Sequence, residues 1–130
     1  MKTIFLLTTL LSLSFSLPSS ATLYELRTYT PHEDKLDDLQ TRFRDHTLKI
    51  FESHGMANIG YWLTEKKEGE PQKLVYIISH KNKQAAAASW KAFIADPKWQ
   101  AVFAASKVNG KLVKAIESQY LTATDFSKLK

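Results

Sequence analysis

The sequence predicts an α+β fold with elements in the order β-α-β-β-α-β and one antiparallel sheet. Three observations predict it. Four short runs, "LYELRTYT", "NIGYWLT", "KLVYIISH" and "KAIESQYLTA", are rich in aromatic and β-branched residues. Two intervening stretches carry helical spacing or strong helix formers. A charged loop, "EKKEGEPQ", joins the middle two strands directly.

The elements follow in order. "LYELRTYT", Leu23 to Thr30, reads as the first strand. "TPHE" then places Thr30 as helix N-cap, Pro31 at the first helical position and Glu33 at the third, a capping box with proline. Apolar residues Leu36, Leu39, Phe43, Ile50 and Phe51 fall on one helical face, and His46 and Thr47 fill the missing turn on that face. Gly55 supplies the left-handed residue that ends the helix, with His54 beside its negative end. Asn58 to Thr64 is the second strand and Lys73 to His80 the third. "NKQAAAASWKAFIA" is a helix with Asn82 as N-cap, rich in alanine. Asp96-Pro97 caps a further helix, "KWQAVFAASKVN", which Gly110 closes. "KAIESQYLTA" is the fourth strand and "TDFSKLK" a tail. This is the ferredoxin-like pattern, a sheet with helices on one face.

Residues 1–21 are read as a secretory signal peptide and kept out of the fold. Lys2 precedes an apolar run from Ile4 to Leu17, and Ser19 and Ala21 suit the cleavage positions. The run is short and polar for a membrane span; an uncleaved anchor is the alternative. Thr22 then begins the mature chain, with one domain over 22–127, a tail at 128–130 and no transmembrane segment. The expected location is periplasmic or extracellular.

Composition excludes several classes. The chain has no cysteine, which removes thiol catalysis, zinc–thiolate sites and iron–sulfur clusters. Its apolar fraction of 44% and charged fraction of 24% are globular. Losing Lys2 leaves a net charge one unit below the +5 of the whole chain. Lys81, Lys83, Lys111, Lys114, Lys128 and Lys130 are scattered and form no basic stripe, so no nucleic-acid partner is expected. There is no Gly-rich phosphate loop and no nucleophile elbow.

One strand points beyond the single chain. In "LVYIIS", Leu74, Tyr76 and Ile78 alternate with Val75 and Ile77, so both faces are apolar. Helices cover one face; the other calls for a second sheet, most simply from an identical chain, or for the protein's own loops.

Candidate site residues come with a bland reading beside the functional one. His46 is either a core histidine or a polar group aimed into a pocket between helix and sheet. Arg27 either pairs with Glu25 or Glu117 or anchors a carboxylate or phosphate. Tyr61 and Trp62 point to opposite faces of their strand, where each packs in a core or lines a cavity. Tyr29, His80 and Trp90 complete the candidate ligand-binding set. Trp90 and Phe93, three apart, form the packing edge of their helix, and Trp99 clamps the corner after Asp96-Pro97. His46 and His54 lie roughly 12 Å apart along a helix axis, too far to share an ion. No metal, cofactor or catalytic residue is assigned.

The stretches "LYELRTYT", "HTLKIFESHGMANIGYW", "AAAASWKAFIADPKW" and "SQYLTATDFS" together resemble the NIPSNAP family in its short bacterial form, over Leu23 to Ser127. The resemblance implies a dimeric α/β barrel, two ferredoxin-like protomers with facing sheets. It also implies kinship with haem-degrading and cofactor-free monooxygenases and with small-molecule-binding proteins. Eukaryotic relatives are tied to mitochondria and vesicle traffic, a setting from which the secretory leader departs. The expected function is a homodimer binding a small apolar or amphipathic ligand between helices and sheet. A cofactor-free or haem-linked monooxygenase and a protein-interaction module are the alternatives.

Overall fold

The computed structural model describes residues 21–130, so the expected signal peptide, apart from Ala21, lies outside the described residues. Four strands, β1 (Leu23–Pro31), β2 (Ala57–Leu63), β3 (Leu74–His80) and β4 (Val113–Thr122), form one antiparallel sheet in the order β2-β3-β1-β4. The first helix, α1, is α-helical over Leu36–Arg42, passes through a π-helical turn at Phe43–Thr47 and is α-helical again over Leu48–Ser53. Two more helices, α2 (Lys83–Ala95) and α3 (Pro97–Ser106), follow β3. The α+β, ferredoxin-like arrangement is as expected from the sequence.

The capping box at Thr30 does not form. Thr30 and Pro31 stay in β1, whose ladder to β4 runs to Pro31 opposite Val113, and the His32 amide donates to the Leu112 carbonyl at 2.9 Å. Strand pairing thus holds these residues extended, and α1 begins only at Leu36, after Asp34 in the left-handed region (φ 58°). Asp37 and Asp38 in the first turn suit the positive end of the helix. The other predicted caps do form. Gly55 (φ 75°) closes α1, with the Met56 amide donating to the Phe51 carbonyl at 3.0 Å. Asn82 Oδ1 accepts from the Ala85 amide and Asp96 Oδ1 from the Lys98 amide, each at 2.8 Å.

The π turn decides which residues of α1 face the sheet. The Leu48 amide reaches back five residues to the Phe43 carbonyl. The extra residue sets back everything after it by about 100° relative to a straight α-helix. Thr47 is on the buried face, as expected, and its hydroxyl donates to the Arg42 carbonyl at 3.2 Å. His46, expected on that face, is exposed instead.

The core lies between α1, α2 and the helical face of the sheet. Tyr76 is at its centre, fully buried, with the rings of Phe43, Tyr29 and Tyr61 at 5.2, 5.4 and 5.1 Å. Phe51 bridges Phe43 to Phe93 and Trp90. Each such ring contributes about 1.5–3 kcal/mol through burial. The opposite face carries Leu26, Val75, Ile77 and Trp62, and among the described residues no helix covers it. Trp62 is 53% exposed, and its indole lies back over Gly60, where a Cβ would collide with it. Among the described residues, no helix is long and apolar enough to cross a membrane.

Candidate functional site

Two neighbouring features occupy the helical face of the sheet: a buried carboxylate network and a groove along β4. The network centres on Glu25 of β1, 1% exposed. Strand alternation puts Glu25, Arg27 and Tyr29 on one face, with His80 and Tyr76 of β3 and Ser118 of β4 beside them. Glu25 Oε2 receives His80 Nε2 at 2.7 Å and Trp90 Nε1 at 2.8 Å; Oε1 receives Arg27 Nη1 and Ser118 Oγ, both at 2.8 Å. The tautomer of His80 follows from this partner: Nε2 carries the shared proton, and Nδ1 is buried without a partner. Arg27 also stacks over the Trp90 ring at 4.3 Å.

Burial alone would raise the Glu25 carboxyl. The donors His80, Trp90, Arg27 and Ser118 overcome it and hold the carboxyl at about 2. Such a carboxylate stays charged and accepts no proton near neutrality. Burial would likewise lower the Arg27 guanidinium, but Tyr29, Tyr76 and Glu25 raise it above its ordinary value. The Glu25 carboxylate is thus saturated by four donors and stitches β1, β3, β4 and α2 together.

The groove lies where the helical layer runs out. α1 and α2 cover β1, β2 and β3, whereas β4 is exposed along nearly its whole length. α3 buries no residue completely and stands off from β4, leaving a groove of about 400 Å³. Trp99, Phe103 and Lys107 form one wall, and Leu112 to Ile116 the other. Tyr29 and Arg42 close its floor. A larger trough of about 970 Å³ lies between the His32–Asp34 turn and the loop around Lys66 to Gln72, but it is wide and charged, with no Phe, Tyr or Trp among its lining residues.

The sequence-predicted residues distribute as follows. Arg27, His80 and Trp90 meet at Glu25, the bland pairing considered for Arg27. Tyr29 alone among them lines the groove, and its hydroxyl accepts from Tyr76 at 3.2 Å and from Arg27 at 3.4 Å, linking the two features. Tyr61 faces the helices and stacks on Tyr76, where burial pushes its phenol up. Trp62 is on the uncovered face. His46 opens onto another depression, of about 530 Å³ between α1 and α3, which shares Arg42 with the groove. His54, expected to meet the last carbonyls of α1, instead binds the Asp96 carboxylate at 2.7 Å and ties α1 to the α2–α3 corner. Trp99 does clamp that corner, its ring 4.4 Å from Phe93.

Sequence reading does not find Arg42 or Phe103. The available signal is the four-residue spacing of Trp99 and Phe103, which gives α3 one aromatic face. Arg42 gives no such signal, because arginine is ordinarily exposed and its cover comes from a distant segment.

A comparison with curated proteins finds no match. Solved structures are similar. One NIPSNAP family protein of unknown function from Agrobacterium tumefaciens is 22% identical, with a TM-score of 0.73 over 85% of this chain and 96% of that one. An uncharacterised NIPSNAP domain protein from Burkholderia xenovorans is 25% identical, with a TM-score of 0.67 over 81% and 97%. SnoaB, a cofactor-independent oxygenase from Streptomyces nogalater, is 14% identical, with a TM-score of 0.53 over 83% and 98%, a likeness of fold. The NIPSNAP family model matches residues 24–128, nearly the whole described fold. The chain therefore belongs to the NIPSNAP family.

Proposed function

We propose that this protein is exported, to the periplasm or beyond the cell, and works as a homodimer that binds a small apolar or amphipathic molecule between its helices and sheet. The groove between α3 and β4 carries this reading. Its volume of about 400 Å³ suits a small molecule, and Tyr29, Trp99, Phe103, Leu112 and Ile116 give it an apolar lining with a few polar groups. The uncovered sheet face, with Leu26, Val75, Ile77 and Trp62, supports the dimer, since a second sheet would shield all four.

Binding is favoured over catalysis by what faces the groove. It presents phenol, guanidinium and ammonium groups, and neither a carboxylate nor an imidazole to take a proton near neutrality. The nearest buried carboxylate, Glu25, is already saturated by four donors. The interaction-module alternative needs the helix–sheet space to be full; its centre is full, but its β4 side is hollow.

The test is titration with phenylnaphthylamine, a neutral probe that fluoresces in apolar sites, together with sedimentation for mass. Saturable binding at one site per chain is expected, lost when Ile116→Trp fills the groove, with the mass of a dimer. A probe that binds Ile116→Trp as well as wild type, or a solitary chain at micromolar concentration, would refute the corresponding half of the proposal.

A further inference from the structure

The floor of the groove holds an arginine with no acid. Arg42 is 5% exposed. Its guanidinium packs against the rings of Trp99 and Phe103 at 5.3 and 5.6 Å, and Nη1 donates to Ser106 Oγ at 3.2 Å. Nε is buried with no partner. Among the described residues no carboxylate forms an ion pair with it: Asp38, one turn earlier on α1, is turned to Lys35, and Asp45 is exposed. Arg27 also has a buried Nε without a partner, but its charge is met by Glu25 at 2.8 Å.

A buried cation without a counter-charge is costly, and native folds rarely retain one idle. Burial accordingly lowers the Arg42 guanidinium from its ordinary value, with Tyr29 and Tyr76 opposing. The side chain sits at the wall of a hollow large enough for a ligand. Further positive charge gathers around the same opening, from Lys107, Lys111 and Lys114, with no acidic side chain among the lining residues.

We infer that the groove is an anion-binding site and that Arg42 is its anchor: the ligand has an aromatic or acyl body, ended by a carboxylate, sulfonate or phosphate that meets the buried guanidinium. The body lies against Trp99, Phe103 and Ile116, and the rim lysines draw the anion in. This rests on the reading of the groove as a ligand site, and it narrows the ligand's class.

The experiment compares two probes that share one apolar body. Phenylnaphthylamine is neutral, and anilinonaphthalene sulfonate carries an anion. Wild type should bind the sulfonate about ten- to a hundred-fold more tightly, the range of a charge-assisted hydrogen bond. The preference should survive roughly half-molar salt, because a buried guanidinium is screened far less than rim lysines. Arg42→Met should erase it while phenylnaphthylamine still binds, and Arg42→Lys should retain part of it. The empty Arg42→Met protein should melt no lower than wild type, since it loses a buried charge that no carboxylate offsets. Equal affinity for the two probes, a preference that vanishes with salt, or one that persists in Arg42→Met overturns the inference and leaves the groove reading standing. Failure of wild type to bind even phenylnaphthylamine overturns both.

Discussion

Replacing Glu25 with glutamine is the sharpest probe of the buried network. The substitution keeps the shape, but it removes the charge facing Arg27 and turns an amide NH₂ toward groups that are themselves donors. Breaking one partner of a buried, hydrogen-bonded pair costs about 3–5 kcal/mol. An independent route gives a similar size. The folded carboxyl sits at about 2 against an ordinary 4.5, and that gap corresponds to roughly 3 kcal/mol at neutral pH. Because the folded value is the lower one, this stability is complete above pH 4.5 and drains away as pH falls toward 2. Glu25→Gln has no carboxyl to titrate. The difference between wild type and variant should therefore be largest near pH 7 and shrink steadily below pH 4.5. Urea unfolding at fixed protein concentration, followed by tryptophan fluorescence because Trp90 is in the network, measures this directly. A difference that stays constant from pH 7 to pH 3 would refute the account, since it would trace the loss to shape alone.

Two further outcomes follow from the same structure. Burial pushes the phenols of Tyr61 and Tyr76 up, so alkaline titration followed by phenolate absorbance should leave both silent until the protein unfolds; either one ionising in the folded state contradicts their burial. Their neutral forms stabilise the fold below about pH 10, and that contribution is lost as pH rises beyond it. Gly60→Ala should displace the Trp62 indole, which lies where the new Cβ would be, at a cost under about 1 kcal/mol because a surface side chain can change rotamer; unchanged Trp62 chemical shifts would show that the ring does not rest there.

Much of the fold was legible because local chemistry and tertiary structure agree. β3 is centred on the β-branched and aromatic run Val75, Tyr76, Ile77 and Ile78, and Asn82, Gly55 and Asp96-Pro97 act where their backbone preferences put them. The Thr30 cap failed because long-range pairing with β4 outweighed a local preference, which no short window of sequence contains. His46 was misplaced because its reading assumed an uninterrupted 3.6-residue period. The candidate site was legible only in part. Arg27, His80 and Trp90 are brought together, but by a glutamate that binds all three. The groove exists because β4 is left uncovered, a property of how three helices share four strands rather than of any single stretch.

The π turn in α1 also bears on how this chain tolerates change. Its second half, Leu48–Ser53, presents Ile50 and Phe51 to the sheet with one surplus residue absorbed upstream. Deleting one of Arg44, Asp45 or His46, all exposed, would let the turn tighten into a regular α-helix and leave Ile50 and Phe51 facing the sheet. Length in this stretch is thus less constrained than in the rest of the helix: Arg44, Asp45 and His46 are replaceable, and one of them is removable.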